Sequence, residues 1–173
     1  RGITMPVVVL NADADSFDQM IANRLEPEIY SFRSLADFAD AVSHAGETRY
    51  PVHIKLDTGM HRLGFMEGEI GRLCEVLPTL PAVKVASVFS HLNCADMPEE
   101  DAYTREQIAC YDRMSAAVAA SLPYSVIRHT ANSAAIERFP EARFDMCRLG
   151  LGLYGFGWEH NAGLRPVSAL KTR

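Results

Sequence analysis

Lysine is scarce in this chain: its 173 residues hold only Lys55, Lys84 and Lys171. All basic side chains together number 17 against 22 acidic ones, a formal charge of −5. Nucleic acid and anionic membranes require a basic face, so neither is expected as a partner. No apolar stretch nears the ~20 residues of a membrane span. The opening Arg1-Gly2-Ile3-Thr4-Met5-Pro6 lacks the apolar run of a signal peptide. Cysteine is limited to Cys74, Cys94, Cys110 and Cys147, too widely spaced for a zinc ribbon or a redox pair. The six histidines show neither HxxxH nor HExxH spacing. Four reduced thiols, a cytoplasmic location and no metal are the expectation. A GxGxxG turn after the first strand is also missing, which removes the dinucleotide-binding fingerprint.

What is present is alternation. β-branched or apolar runs predict strands at Val7–Leu10, Glu28–Phe32, Val52–Leu56, Val83–His91, Val126–His129 and Met146–Leu149. Between them fall helical spacings. Ser16–Arg24 reads as a short helix. Ser34 reads as an N-cap ahead of Leu35, Phe38, Ala39 and Val42. Ile70, Leu73, Cys74 and Leu77 repeat the spacing until Pro78 and Pro81 stop it, and Glu99–Leu122 predicts the longest helix. Strand–helix alternation of this kind gives an α/β fold of parallel βαβ units in one domain. It does not decide between a barrel and an open sheet.

Four segments with chemical potential lie at the C-terminal ends of predicted strands, the face where both kinds of α/β sheet bind ligands. Lys55–Phe65, KLDTGMHRLGF, puts Arg62, an always-charged fork of donors suited to a carboxylate or phenolate, in a glycine-punctuated loop. The plain alternative is a loop in which Asp57 pairs with Lys55 or Arg62. Ser90–Asp96 presents His91 and Asp96, although a lone strand-end histidine more often packs or caps. Arg128–Ala135, RHTANSAA, makes Ser133 the N-cap of a short helix Ala134–Phe139 whose amides could face an anion, or a cap and nothing more. In Cys147–Gly155, CRLGLGLYG, Gly150 and Gly152 allow backbone amides close to a phosphate. The last two segments together match the usual position of a barrel phosphate site.

KLDTGMHRLGF, HTANSAA and CRLGLGLYG together resemble the alanine racemase family, enzymes that use pyridoxal 5'-phosphate on a parallel (β/α)8 TIM-type barrel. The resemblance covers nearly the whole chain. It implies that Arg62 approaches the cofactor's phenolic oxygen and the carboxylate of a small amino-acid substrate. The residue matching Lys55 is often carbamylated in the family, which turns a cation into an anion able to orient that arginine. His91 would lie beside the cofactor ring, Asp96 at the mouth through which substrate enters, and the phosphate at Ser133, Gly150 and Leu151. Arg148 would bond the pyridine nitrogen, with His129, Asn132 and Asp57 supporting the site from behind. An arginine cannot give that nitrogen a proton, so the ring withdraws fewer electrons and the chemistry stays with racemisation.

The two groups that move protons in the family find no match. These are a Schiff-base lysine ending the first barrel strand and a tyrosine from a partner subunit's C-terminal β domain. The resemblance therefore reads residues 1–165 as about strands 3 to 8 of the barrel, and 166–173 as the start of a connection to that second domain. A remnant of this kind would expose two unpaired edges and either associate or be modestly stable. The implied parent is a cytoplasmic homodimer that interconverts L- and D-alanine for peptidoglycan synthesis. Alternatives are a broad-specificity amino-acid or serine racemase of the same fold, and a non-catalytic pyridoxal-phosphate-binding barrel.

Overall fold

Five parallel strands lie side by side in chain order: β1 (Val8–Val9), β2 (Glu26–Ile29), β3 (Tyr50–Lys55), β4 (Val83–Phe89) and β5 (Ile127–His129). The computed structural model describes residues 2–158, 163–169 and 171. Helical crossovers α1 (Phe17–Ala22), α2 (Phe32–His44), α3 (Ile70–Val76) and α4 (Asp101–Ala120) join the strands, and α5 (Ser133–Arg138) follows β5. A doubly wound sheet reverses its strand order at a switch point. This one never reverses, so it is wound as the wall of a TIM-type barrel.

The central strands β2, β3 and β4 are largely buried on both faces, with a different chemistry on each. Val52 and Ile54 of β3 join Leu35, Phe38 and Val42 of α2 and Tyr111, Met114 and Val118 of α4 in one apolar core. Those helical residues recur at three- and four-residue steps, which gathers them on one stripe. The alternate positions of the strands face the barrel interior and are largely polar: Glu26 and Glu28, His53 and Lys55, Ser87, then His129. That polar face carries the site.

Several sequence expectations shift. The second strand begins at Glu26 rather than Glu28 and ends before Phe32, which opens α2. Ser31, not Ser34, caps that helix. Its hydroxyl accepts from the Ser34 amide at 3.1 Å, while the Ser34 hydroxyl accepts from the Ser31 amide at 3.2 Å. Ser34 is thus the third residue of a reciprocal capping pair. Val7–Leu10 was expected to be buried but contributes only Val8–Val9, with Val8 41% and Leu10 62% exposed, because β2 flanks it on one side only.

Met146–Leu149 forms no strand, so the described residues hold five strands and not six. Its neighbourhood makes two backbone bonds to the β5 region, Asp145 N–H to Arg128 O and Arg148 N–H to Ala131 O, both 3.0 Å. The Asp145 carboxylate takes the Arg128 amide at 2.8 Å, where a ladder would need a carbonyl. Pro166–Ala169 forms no regular element, and Leu170, Thr172 and Arg173 of the expected connection lie outside the described residues.

Candidate active site

Arg148 is the hinge of the arrangement. Its Nη1 donates to His129 Nδ1 at 2.9 Å and its Nη2 to the Ser90 carbonyl at 2.7 Å, with His91 Nδ1 and the Thr130 carbonyl each at 3.3 Å. Every acceptor is neutral. Its Nε–H alone finds no acceptor among the described residues. The guanidinium also lies 5.4 Å from the centre of the Phe89 ring. Phe89 stacks on His129 at 5.1 Å with 6° between planes and carries Lys55 Nζ at 4.9 Å on its ring.

Arg148, His91, Leu92, Asn132, Ser133 and Gly150 help to line a cavity of about 460 Å3, which Asp96 and Leu151 also border. That volume lies in the range of small-molecule sites. At one end the Ser133 hydroxyl accepts from the amides of Gly150 at 2.9 Å and Gly152 at 3.2 Å. Two backbone donors and one hydroxyl thus converge where an anion could replace the hydroxyl's lone pairs. A Cβ on Gly152 would meet Leu149 Cδ1 at 2.6 Å, so the exposed leucine side chain would have to turn aside, while the Ser133 hydroxyl would stay at an ordinary 3.7 Å.

Asn132, rather than Ser133, caps α5. Its Oδ1 accepts from the Ala135 amide at 3.0 Å and its Nδ2 donates to the Leu92 carbonyl at 2.9 Å. Capping by Asn132 frees the Ser133 side chain for the cradle and ties the loop after β5 to the loop after β4. Arg138 adds a second tie, to the Ala95 carbonyl at 2.7 Å and the Asp101 carboxylate at 2.6 Å.

The Lys55–Phe65 loop is closed on itself by Phe65 N–H to Lys55 O and Asp57 N–H to Phe65 O, both 2.9 Å. Asp57 does not pair with Lys55 or Arg62. Its Oδ1 accepts from the Gly59 and His61 amides, each at 3.0 Å, an Asx-type turn that shapes the loop. Gly64 has φ +130°, and a Cβ there would lie 2.5 Å from the Asp57 nitrogen. Arg62 is exposed and makes no ion pair among the described residues.

The site is electropositive. Burial, then the Arg148 charge, push Lys55 down to about 8, with Glu28 acting the other way and Arg62 adding to the fall. The same two causes lower His91 to about 4 and His129 to about 3, so both imidazoles stay neutral near pH 7. Burial also lowers Arg148 from its ordinary value, with no consequence for its charge at neutral pH.

Sequence reasoning missed three interior residues that prepare this site: Ser87, His53 and Phe89. The available signal was a polar or aromatic residue at alternate positions of strands that are otherwise β-branched.

An anion cradle and a buried arginine among neutral acceptors, at one end of a singly wound parallel sheet, form a barrel-mouth cavity suited to an anionic small molecule; Arg62, on the loop after β3, is not among the residues that line it. The sequence profile described as "Alanine racemase, N-terminal domain" matches residues 1–157. The chain belongs to the alanine racemase family, whose members depend on pyridoxal 5'-phosphate.

Alanine racemase of Desulfovibrio desulfuricans is 36% identical over 179 residues, covering 99% of this chain and 47% of that protein. The Symbiobacterium thermophilum alanine racemase is 42% identical over 126 residues, 70% of this chain and 33% of that one. Among solved structures, alanine racemase of Clostridium difficile 630 in complex with cycloserine superposes with a TM-score of 0.86 at 30% identity, covering 95% of this chain and 47% of that one. Alanine racemase of Bartonella henselae with covalently bound pyridoxal phosphate shares the fold at a TM-score of 0.80 and 24% identity, covering 96% and 47%. The chain spans about half the length of the curated relatives it matches.

Proposed function

We propose that this chain is the cofactor-holding part of a pyridoxal-phosphate-dependent alanine racemase, in which Ser133, Gly150 and Leu151 hold the phosphate and Arg148 meets the ring nitrogen. The observation that carries the reading is the Arg148 side chain. Its Nη groups are committed to Ser90, His129 and neighbouring acceptors, and Nε–H is left as a donor with no acceptor among the described residues. A pyridine nitrogen is an acceptor of the required kind. His91 lines the same cavity as a neutral imidazole able to stack beside the ring. When bound, pyridoxal 5'-phosphate supplies an electron sink for the substrate's Cα–H bond.

The protein's own residues set how that sink is used. Arg148 donates without giving up a proton, which leaves the ring a weaker sink and favours return of the proton to Cα. Arg62 holds the substrate carboxylate. Asp96 borders the mouth, and Asn132, His129 and Asp57 hold loops and ring partners in place. Lys55, buried and without an ion-pair partner among the described residues, is neutral enough near pH 8 to react with carbon dioxide, and the resulting carbamate would pair with Arg62. Among the described residues that line the cavity there is no lysine or tyrosine. In this reading proton transfer belongs to the Schiff-base lysine and the partner subunit's tyrosine that the family resemblance implies, in a cytoplasmic homodimer that provides D-alanine for peptidoglycan.

The test uses the longer protein that contains this chain. Loaded with pyridoxal 5'-phosphate, it should erase the optical rotation of L-alanine and exchange the Cα hydrogen with solvent deuterium. Arg62→Ala should lower kcat/KM for alanine at least about tenfold. Cofactor absorbance that changes on binding without any racemisation would favour the non-catalytic barrel instead.

A further inference from the structure

A continuous line of hydrogen bonds crosses the interior face of four successive strands and ends on Arg148. Glu26 of β2 is 2.7 Å from His53 Nε2 of β3. His53 Nδ1 is 2.6 Å from the Ser87 hydroxyl of β4, which is 3.1 Å from His129 Nε2 of β5. His129 Nδ1 then meets Arg148 Nη1 at 2.9 Å. Ser87 and His129 are 1% and 4% exposed, so water cannot take over the inner links. The line exists because of a register irregularity. Val52 pairs with Val85, but the next residue, His53, pairs with Ser87, so β4 holds one extra residue at that step. Without that bulge His53 would face Ala86 and the serine would point to the opposite face.

With one proton on each imidazole, the ends of the line fix the polarity of every link. A guanidinium only donates, so His129 Nδ1 must accept and its proton sits on Nε2. That proton goes to Ser87, whose own proton goes to His53 Nδ1. The His53 proton is then on Nε2 and points at the Glu26 carboxylate, which only accepts. Were the line reversed, His129 would carry its proton on Nδ1 and confront Arg148 donor to donor. A carboxylate at the far end makes the reversed order impossible.

We propose that Glu26, His53 and Ser87 are positioning residues that lock His129 as the Nε2–H tautomer and so hold Arg148 with Nε–H free for the ring nitrogen. The proposal rests on the functional reading above for what Arg148 meets, and on the geometry alone for the tautomer. The lock acts across the full width of the sheet, from a strand that contributes nothing to the cavity lining.

The tautomers are read directly by long-range 15N–1H spectra of histidine-labelled protein without cofactor. His129 should be the neutral Nε2–H form from pH 5.5 to 8, and His53 should carry a proton on Nε2, towards Glu26. Ser87→Ala and Glu26→Leu should each move His129 towards a mixture of tautomers, and Glu26→Gln, which keeps an acceptor, should restore the single form. A His129 that carries its proton on Nδ1 in the unmodified protein overturns the proposal, and that measurement needs no variant to fold. Unchanged His129 shifts in a folded Glu26→Leu protein overturn it as well.

In the longer, cofactor-loaded protein, Glu26→Leu should lower kcat about tenfold with KM within about twofold. A shifted tautomer with unaltered kcat would overturn the positioning role. If the unmodified protein shows the locked tautomer but binds no pyridoxal 5'-phosphate, the functional reading fails and the tautomer lock is upheld.

Discussion

Lys55 is 5% exposed and makes no ion pair with a carboxylate among the described residues, so its charge is held at a cost. Its folded value of about 8 lies below the ordinary 10.5, so between those pH values the unfolded chain binds more protons. Stability therefore rises with pH across that window, and below pH 8 the full penalty persists, at most ~3 kcal/mol. Lys55→Met should stabilise the chain by up to that amount at pH 7 and by little above pH 10, read from urea denaturation at the two pH values. A gain independent of pH would show that burial of the charge is not the cause. Carbamylation makes a separate statement: bicarbonate should stabilise the unmodified chain and leave Lys55→Met unaffected.

The two site histidines act at the acid end. Their folded values, about 4 for His91 and about 3 for His129, lie below the ordinary 6.5. The unfolded chain thus takes up protons first as the pH falls. Stability is fully present above 6.5 and declines through 4 and then 3. His91→Gln should flatten the slope of stability against pH between 6.5 and 4, and an unchanged slope would contradict its burial as a neutral ring. Arg62 and Lys55 were legible from sequence at this scale because unusual residue types crowd one loop. The commitment of Asp57 to the Gly59 and His61 amides was not, since a carboxylate beside two cations reads equally well as an ion pair.

At the scale of elements, the site depends on caps and loop ties more than on strand ends. Asn132 starts α5 and reaches the Leu92 carbonyl, so one side chain sets both the helix origin and the distance between two loops. Asn132→Ala should cost about 1 to 2 kcal/mol of stability in denaturant unfolding and weaken cofactor binding through the displaced Ser133. Asn132→Asp keeps the cap and loses the Nδ2 donor, so it should recover most of the stability and less of the binding. Equal recovery of both would mean the tie to Leu92 is unimportant.

The helices were readable because their apolar spacing is local: Leu35, Phe38, Ala39 and Val42 are buried as their period requires. Their starting points were not. Ser31 and Ser34, like Asn132 and Ser133, are neighbouring residues of similar capping ability, and only the backbone around them chooses.

At the scale of the whole molecule, both lateral edges of the sheet are incompletely covered. On one side lie Val8 and Leu10; on the other, Ile127, Leu149 and Leu151, with Leu151 68% exposed. Unpaired edges bordered by exposed apolar side chains favour association. The 173-residue chain in isolation should therefore scatter light as a species heavier than a monomer at micromolar concentration, and Val8→Lys should reduce its mass. A monomer that withstands high temperature would contradict this account.

Sequence by itself determined the α/β alternation, the apolar stripes and the residue types that gather at the site, because these follow from local periodicity and from what a guanidinium, a glycine or an asparagine can do chemically. It also carried the family, through Lys55–Phe65, HTANSAA and CRLGLGLYG. Only the tertiary structure decided that the sheet winds in one direction and that Met146–Leu149 runs beside β5 without forming a strand. It alone placed Glu26, His53, Ser87 and His129 in one line ending on Arg148. Those facts depend on register between strands that are distant in the chain, and a single extra residue in β4 settles which side chains meet.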